Sequence, residues 1–103
     1  MKNNAMRPIH PGEILREEFL LPLEMTPRAL SKALHVPSSR INDIVSGKRR
    51  ISADTALRLA RYFGADPHSW LNLQQSYDLK IATRTALKKI FDEVQPRGNP
   101  IAA

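Results

Sequence analysis

The sequence predicts an all-α fold, with five helices packed as one domain and an additional amphipathic C-terminal helix. Apolar residues recur at helical spacing in successive segments, no segment alternates as a strand does, and Pro or Gly stands near most segment boundaries. The chain has 103 residues and no cysteine, so we expect it to bury a core without disulfides or thiolate metal sites. We therefore expect one domain over residues 11–79 and a further helix over residues 80–95.

Local start and stop signals divide the domain into its helices. We expect these helices over residues 11–21, 27–34, 38–46, 53–63 and 67–79. Thr26, Ser52 and Asp66 each stand where a side-chain oxygen can cap the first N–H groups of the following helix. Gly47 and Gly64 follow the third and fourth helices, where a left-handed residue commonly ends a helix.

Helical spacing also assigns the inward faces of the last two helices of the domain. On the fourth helix they are Ala56, Leu57, Leu59, Ala60 and Phe63, and on the fifth they are Trp70, Leu71, Leu73, Tyr77 and Leu79. We expect Trp70 and Tyr77 to belong to the core rather than to bind a ligand, because aromatic residues at helical spacing usually pack inside.

Both ends of the chain lack a packing pattern. We expect residues 1–10 to be a flexible N-terminus and residues 96–103 to be a disordered tail. Residues 1–5 carry no pattern, so Met6 is an alternative start to Met1. The amphipathic run over residues 80–95 either continues the fifth helix after a bend or forms a sixth helix. Its apolar stripe needs a partner, which is its own domain, a second copy of the chain or another protein.

Residues 26–50 consist of two short helices joined by a tight turn and followed by a basic loop. Pro37 cannot continue the helix before it, and His35 is one of the residue types that tolerate a left-handed conformation in such a turn. The second helix directs Ile41, Ile44 and Val45 inward and leaves small polar and basic residues outside. This arrangement is the helix-turn-helix plan of DNA-binding proteins.

The net charge of +6 is concentrated in one segment of the chain. Residues 28–61 contain eight basic and two acidic residues, whereas basic and acidic residues cancel in the remainder. A concentrated positive field favours a polyanion, most commonly nucleic acid. We expect no membrane contact, because no apolar run is long enough to span a bilayer and the charge does not form one face of an amphipathic helix.

The second helix of the helix-turn-helix predicts the residues that read DNA. The first residues of a recognition helix lie nearest the base edges in the major groove. We expect the base contacts to be Ser38, Ser39, Arg40, Asn42 and Asp43. Arginine pairs with guanine, asparagine with adenine and aspartate with cytosine. As an alternative to a base contact, Asp43 orients Arg40.

Five further residues are expected to contact the DNA backbone without reading sequence. They are Thr26, Arg28, Lys48, Arg49 and Arg50. One helix-turn-helix reads only a few base pairs, so we expect a homodimer on a palindromic operator, with residues 80–95 forming part of the dimer contact.

Catalysis and cofactor binding are not predicted. The chain has no nucleophile motif and no phosphate-binding loop, and His10, His35 and His68 are not spaced as ligands on one helix face. His10 and Glu13 together are too few to predict a metal site. We therefore expect a protein that is not an enzyme and that has no catalytic residue, no cofactor and no metal.

Three stretches of the sequence resemble the HigA-type antitoxins, which belong to the lambda-repressor-like (XRE, Cro/C1) helix-turn-helix group. They are PIHPGEILREEFLLPL, SKALHVPSSRINDIVSGKRRISADTALRLARYFG and WLNLQQSYDL. The resemblance runs from about residue 7 to residue 82. The central stretch indicates only the broad group, while the HPGEIL opening and the WLNLQ and YDL runs narrow it to HigA.

The resemblance implies a cytoplasmic bacterial antitoxin that neutralises a HigB-type toxin, a ribonuclease that cleaves mRNA, and represses the operon they share. It places the DNA-reading positions of the family on the residues named above. Two departures stand in the turn, where His35 replaces the usual Gly and Pro37 stands where a capping Ser or Thr is common. Two alternatives remain, a solitary XRE-family regulator without a toxin, and an RNA-binding or scaffolding protein without preference for a palindromic duplex.

Overall fold

The computed structural model describes residues 7–98 and contains five helices and no strand within that range. Helix α1 begins as Pro11–Ile14 and continues without a break as a π-helical segment, Leu15–Leu20. The others are α2 (Pro27–Leu34), α3 (Ser38–Val45), α4 (Ala53–Phe63) and α5 (Pro67–Glu93). The predicted all-α class is confirmed. Our expectations for residues 1–6 and 99–103 lie outside the described residues.

Helix α5 corrects the prediction of a separate C-terminal helix over residues 80–95. It runs from Pro67 to Glu93 as one helix, because no Pro or Gly follows Pro67 within it. Its 27 residues make it about 40 Å long. Beyond Asp78 its residues are exposed, apart from the half-buried Ala86. Neither α5 nor any other helix within residues 7–98 is long and apolar enough to cross a membrane.

The helix ends are held by the residues that the sequence indicated. Thr26 and Ser52 each accept a hydrogen bond from the backbone N–H three residues further on, at 3.0 and 3.3 Å. Asp66 accepts one from the N–H two residues further on, at 2.8 Å. His35 ends α2 and Gly64 ends α4, both in the left-handed conformation, with φ of 59° and 85°. Hydrogen bonds between near neighbours therefore define where these helices begin and end.

The core forms where the inward faces of all five helices meet. Its fully buried members are Leu15, Leu20, Leu30, Leu34, Ile41, Ile44, Ile51, Ala56, Leu59 and Trp70. The Trp70 ring is only 2% exposed and lies 5.1 Å from the ring of Phe19. Two residues that we assigned to inward faces are instead at the surface, since Leu57 is 60% exposed and Leu79 is 66% exposed.

The start of α1 is held by contacts from the residues before it. His10 Nδ1 accepts the N–H of Gly12 at 2.9 Å, and the His10 ring packs edge-on against Tyr77 with 4.9 Å between centroids. Arg7 donates two hydrogen bonds to the carboxylate of Glu13, at 2.8 and 3.1 Å. Residues 7–10 are therefore part of the folded domain, which corrects our expectation of a flexible segment up to residue 10.

Gly12 lets α1 approach the end of α3 more closely than any other residue would. A Cβ atom at Gly12 would lie 1.7 Å from the backbone oxygen of Ile44. The carbonyl of Ile44 occupies the space that a side chain would need, so only glycine fits here. This contact, together with the burial of Ile41 and Ile44, fixes the position of α3 on the domain.

Candidate DNA-binding surface

The outer face of α3 carries the residues that we predicted as base contacts. Ser38, Ser39 and Asn42 are exposed, whereas Arg40 and Asp43 are half-buried. Pro37 precedes the helix and provides no side-chain cap. The first turn of α3 therefore begins with two short, exposed polar side chains, Ser38 and Ser39, at a helix start whose first backbone N–H groups can attract an anion.

Arg40 is held by a carboxylate on the next helix. Its Nη1 donates to Asp54 Oδ2 at 2.6 Å, and Arg58 Nε donates to the same oxygen at 2.9 Å. Arg58 also donates from Nη1 to the backbone oxygen of Leu34 at the end of α2, at 2.8 Å. The hydrogen bond from Arg58, followed by that from Arg40, lowers the pKa of the Asp54 carboxyl below its ordinary value. One chain of contacts thus joins α2, α4 and α3.

Asp43 has a different partner from the one that we considered. Its carboxylate lies 3.8 Å from Arg49 Nη2. The acid that contacts Arg40 is Asp54. The alternative in which Asp43 orients Arg40 is therefore wrong for this structure, and Asp43 remains on the outer face of α3.

The basic loop after α3 turns back over the end of that helix. Gly47 has a φ of 81°, in the left-handed region. The backbone N–H groups of Lys48 and Arg49 both donate to the backbone oxygen of Asp43, at 2.8 and 3.1 Å. These bonds satisfy the end of α3 and hold the loop beside it.

The loop is also tied to α5 through a buried amide. Arg50 Nη1 donates to Asp78 Oδ2 at 2.8 Å, and Gln74 Nε2 donates to Asp78 Oδ1 at 2.9 Å. The N–H of Ile51 donates to Gln74 Oε1 at 2.7 Å. Gln74 is only 2% exposed, so both ends of its amide are satisfied inside the protein. The backbone at Ile51 is therefore fixed relative to α5.

An open cleft of about 310 Å³ lies between α3, the basic loop and the start of α4, and we call it the arginine cleft. Its lining residues are Arg40, Arg49, Arg50, Ser52, Asp54 and Thr55. Three guanidinium groups around a space of this size can bind a phosphate group, because arginine donates paired hydrogen bonds to phosphate oxygens. The structure thus brings together three of the predicted DNA contacts in one place.

The other predicted backbone contacts lie outside this cleft. Lys48 is exposed on the loop, and Arg28 is exposed in the first turn of α2. Thr26 is exposed at the start of α2, where its hydroxyl caps the helix. These three residues remain available on the surface, and the structure does not bring them into the cleft.

The sequence reasoning missed the residues that hold the arginines. Asp54 and Arg58 lie four residues apart on α4. Their presence in the sequence is explained locally, because an acid is favourable in the first turn of a helix and can pair with a basic residue four positions later. Asp78 and Gln74 share one face of α5. Nothing in the local pattern signals that Asp54 meets Arg40 fourteen residues away or that Asp78 meets Arg50 twenty-eight residues away. Across residues 7–98, no group of three or more His, Cys, Asp or Glu is placed to hold a metal ion.

Comparison with known proteins identifies the family. The helix-turn-helix family model HTH_3 matches residues 15–70. Virulence-associated protein I of Dichelobacter nodosus is 65% identical over 79 residues, which are 77% of this chain and 73% of that protein. Antitoxin HigA-1 of Vibrio cholerae is 35% identical over 79 residues, which are 77% of this chain and 74% of that protein.

A solved structure extends the likeness to the whole fold. The Pseudomonas aeruginosa antitoxin HigA, determined with the higBA promoter, superposes with a TM-score of 0.86 at 49% sequence identity. The likeness covers 88% of this chain and 99% of that one. The chain therefore belongs to the HTH_3 helix-turn-helix family and, within it, to the HigA-type antitoxins.

Proposed function

We propose that this protein is an antitoxin that represses its own operon by binding a palindromic operator. In this proposal Ser38, Ser39, Arg40, Asn42 and Asp43 face the base edges, and Thr26, Arg28, Lys48, Arg49 and Arg50 contact the DNA backbone. The observation that carries the proposal is the exposed polar face of α3 beside a cleft with three arginines. A related antitoxin, HigA of Pseudomonas aeruginosa, is known with promoter DNA, which supports the same role here.

In this arrangement, the residues that position the protein on the DNA differ from those that recognise the bases. A phosphate group in the cleft would contact Arg49 and Arg50 and hold the protein in register on the duplex without reading sequence. Ser38 and Ser39 are short, so they allow α3 to approach the floor of the major groove. Arg40 and Asn42 are then the side chains whose paired donors and acceptors discriminate guanine and adenine.

A homodimer is part of the proposal, and the second half of α5 supports it. Leu79, Leu87 and Ile90 share one face of the helix, and Phe91 lies beside them. All four are exposed, with Phe91 at 72%. A contiguous apolar stripe of this kind marks a protein contact. A second copy of the chain provides the same stripe and the second recognition helix that a palindrome requires.

Neutralisation of a HigB-type toxin follows from membership of the family. We propose that the protein acts by binding DNA and toxin in the bacterial cytoplasm, and that it is not an enzyme. This distinguishes it from a solitary regulator, which would bind the same kind of operator and no toxin. Coexpression with the product of a neighbouring toxin gene tests this part, because an antitoxin copurifies with the toxin and restores growth, whereas a solitary regulator does neither.

The DNA-binding proposal is tested by titrating the protein against the DNA upstream of its own gene, with a scrambled duplex as control, at physiological salt. We expect a preference of about a thousandfold or more for the upstream DNA, as for other sequence-specific proteins. Arg40→Ala should reduce operator binding by about 1–3 kcal/mol and weaken binding to scrambled DNA only by the small factor that the loss of one positive charge causes. Equal binding of both duplexes by the unchanged protein would exclude a sequence-specific repressor.

A matched control separates the role of Arg40 from the loss of one positive charge. Arg61 is exposed near the end of α4, beside His35 and Tyr62 and away from the arginine cleft. Arg61→Ala should weaken both duplexes by a similar small factor, because it changes only the general field. The same loss of preference with Arg61→Ala would mean that Arg40 does not read a base.

The dimer is tested by changing the apolar stripe. Phe91→Glu should shift the protein from dimer to monomer in sedimentation experiments and weaken binding to the full palindrome. Thr85→Glu is the control, because Thr85 is exposed on the same helix about half a turn away from the middle of the stripe. A protein that remains dimeric with Phe91→Glu would place the dimer contact elsewhere.

A further inference from the structure

Among the described residues that line the arginine cleft, Asp54 is the one acid, and it contacts Arg40 directly. We infer that Asp54 is a positioning residue, which orients the Arg40 guanidinium for base recognition and thereby sets the sequence preference without contacting DNA itself. This inference rests on the proposed function and deepens it, since it names the residue that controls the predicted guanine contact.

The first support is that a second side chain, that of Arg58, holds the Asp54 carboxylate. Arg58 Nε donates to the same oxygen that Arg40 contacts, and Arg58 Nη1 is bonded to the backbone oxygen of Leu34. Although the Asp54 side chain is 55% exposed, two donors on one oxygen restrict its rotation. A fixed acceptor gives the guanidinium of Arg40 a fixed direction, and a preorganised donor loses less freedom when it binds.

The second support is that the contact leaves Arg40 enough donors for a base. A guanidinium has five N–H donors, and Asp54 is bonded to Nη1. The remaining N–H groups include the pair needed for two hydrogen bonds to guanine O6 and N7. The bond to Asp54 and a guanine contact are thus compatible, so Arg40 does not have to release Asp54 when it reads a base.

The third support is the sign of the charge. A carboxylate beside the DNA backbone repels phosphate, so Asp54 weakens binding to DNA of any sequence. A general electrostatic role and a positioning role therefore predict opposite effects on the operator when the charge is removed. Asp43 does not duplicate the positioning role, because it pairs with Arg49 at a longer distance of 3.8 Å.

The test compares binding to operator and scrambled DNA for Asp54→Asn, Arg40→Ala and the double variant. We expect Asp54→Asn to lower the ratio of operator to scrambled affinity about tenfold, within the range of one paired base contact. Its affinity for scrambled DNA should be equal or higher. With Arg40→Ala already present, Asp54→Asn should cause no further loss of preference. Asp54→Glu, which keeps the carboxylate, should restore part of the preference.

Two controls exclude simpler explanations. Glu17→Gln removes one negative charge from an exposed residue of helix α1, and it should leave the ratio unchanged. Thermal unfolding followed by circular dichroism checks that each variant folds. A residue that only stabilised α4 would alter the melting temperature and weaken both duplexes together, without changing their ratio.

The outcomes separate the inference from the function on which it rests. An unchanged protein that prefers its operator, together with an Asp54→Asn variant of undiminished preference, overturns the positioning role alone. The positioning role is also overturned if Asp54→Asn still lowers the preference for the operator when Arg40→Ala is already present. An unchanged protein without any preference overturns the proposed function and the positioning role with it.

Discussion

Replacing Gly12 by Ala tests whether the start of α1 packs directly against the backbone of α3. The added methyl carbon would lie 1.7 Å from the backbone oxygen of Ile44 and 2.6 Å from its carbonyl carbon, whereas real contacts of this kind are essentially never below 3.0 Å. The start of α1 and the end of α3 would therefore have to separate by at least about 1.3 Å. The obstacle is backbone, so it cannot turn aside as a side chain would.

The cost follows from this displacement. Overpacking costs about 1–3 kcal/mol, and a clash with backbone belongs at the upper end of that range. Alanine gains about 1 kcal/mol over glycine in helix propensity, which leaves a net destabilisation of about 2 kcal/mol. For a domain of this size, that corresponds to a fall of about 8–16 °C in melting temperature. Thermal unfolding at one fixed protein concentration measures it, because dimerisation makes the midpoint depend on concentration.

Gly64→Ala is the matched control for this substitution. Gly64 has a φ of 85°, and a Cβ atom there would meet nothing within 4 Å. Its replacement therefore carries only the cost of a left-handed alanine, about 1 kcal/mol. We expect Gly12→Ala to be the more destabilising of the two. A melting temperature for Gly12→Ala at or above that of Gly64→Ala would refute the close approach of α1 to α3.

Three further predictions concern the turn, the N-terminal cap and the basic loop. His35→Gly should raise stability by about 0.5–1 kcal/mol, because glycine adopts the observed φ of 59° without strain, and an unchanged urea midpoint would contradict this. Burial lowers the pKa of His10, although the charge of Asp78 opposes this shift. The stability that the neutral His10 side chain contributes should therefore be complete above pH 6.5, the ordinary pKa of histidine, and should decrease as the pH falls below it. His10→Asn keeps a cap acceptor that does not titrate there, so its stability should depend less on pH between about 7 and 5, and an equal slope would exclude His10 as the cause. Replacing Lys48, Arg49 and Arg50 together by Ala should weaken all DNA and reduce the salt dependence by about 0.9 per lost phosphate contact, whereas an unchanged slope would place these side chains in solvent.

The interactions that sequence reasoning recovered are those between near neighbours. Thr26, Ser52 and Asp66 cap helices through N–H groups two or three residues away, and His35 and Gly64 adopt the left-handed conformation that ends a helix. Such contacts depend on short stretches of chain, so residue type and spacing are enough to predict them. The helix-turn-helix arrangement and the basic character of residues 28–61 follow from the same local information.

Burial was predicted less well, because helical spacing shows that residues share a face but not what that face meets. Leu57 and Leu79 have the spacing of inward residues, yet both are exposed. Leu79 lies where the buried part of α5 ends, because every later residue of the helix up to Glu93 is exposed apart from the half-buried Ala86. The unbroken α5 itself was open from sequence, since an amphipathic run fits a continued helix and a separate one equally well.

By itself, the sequence determined the all-α class, the helix-turn-helix, the outward face of α3 and the family. Only the tertiary structure decided which residues control that face. Arg40 meets Asp54, Arg50 meets Asp78, and Gly12 meets the backbone of Ile44 across gaps of fourteen, twenty-eight and thirty-two residues. The physical reason is that such contacts depend on the angles and distances at which whole helices pack. Those angles result from the complete core and are not encoded in any one segment.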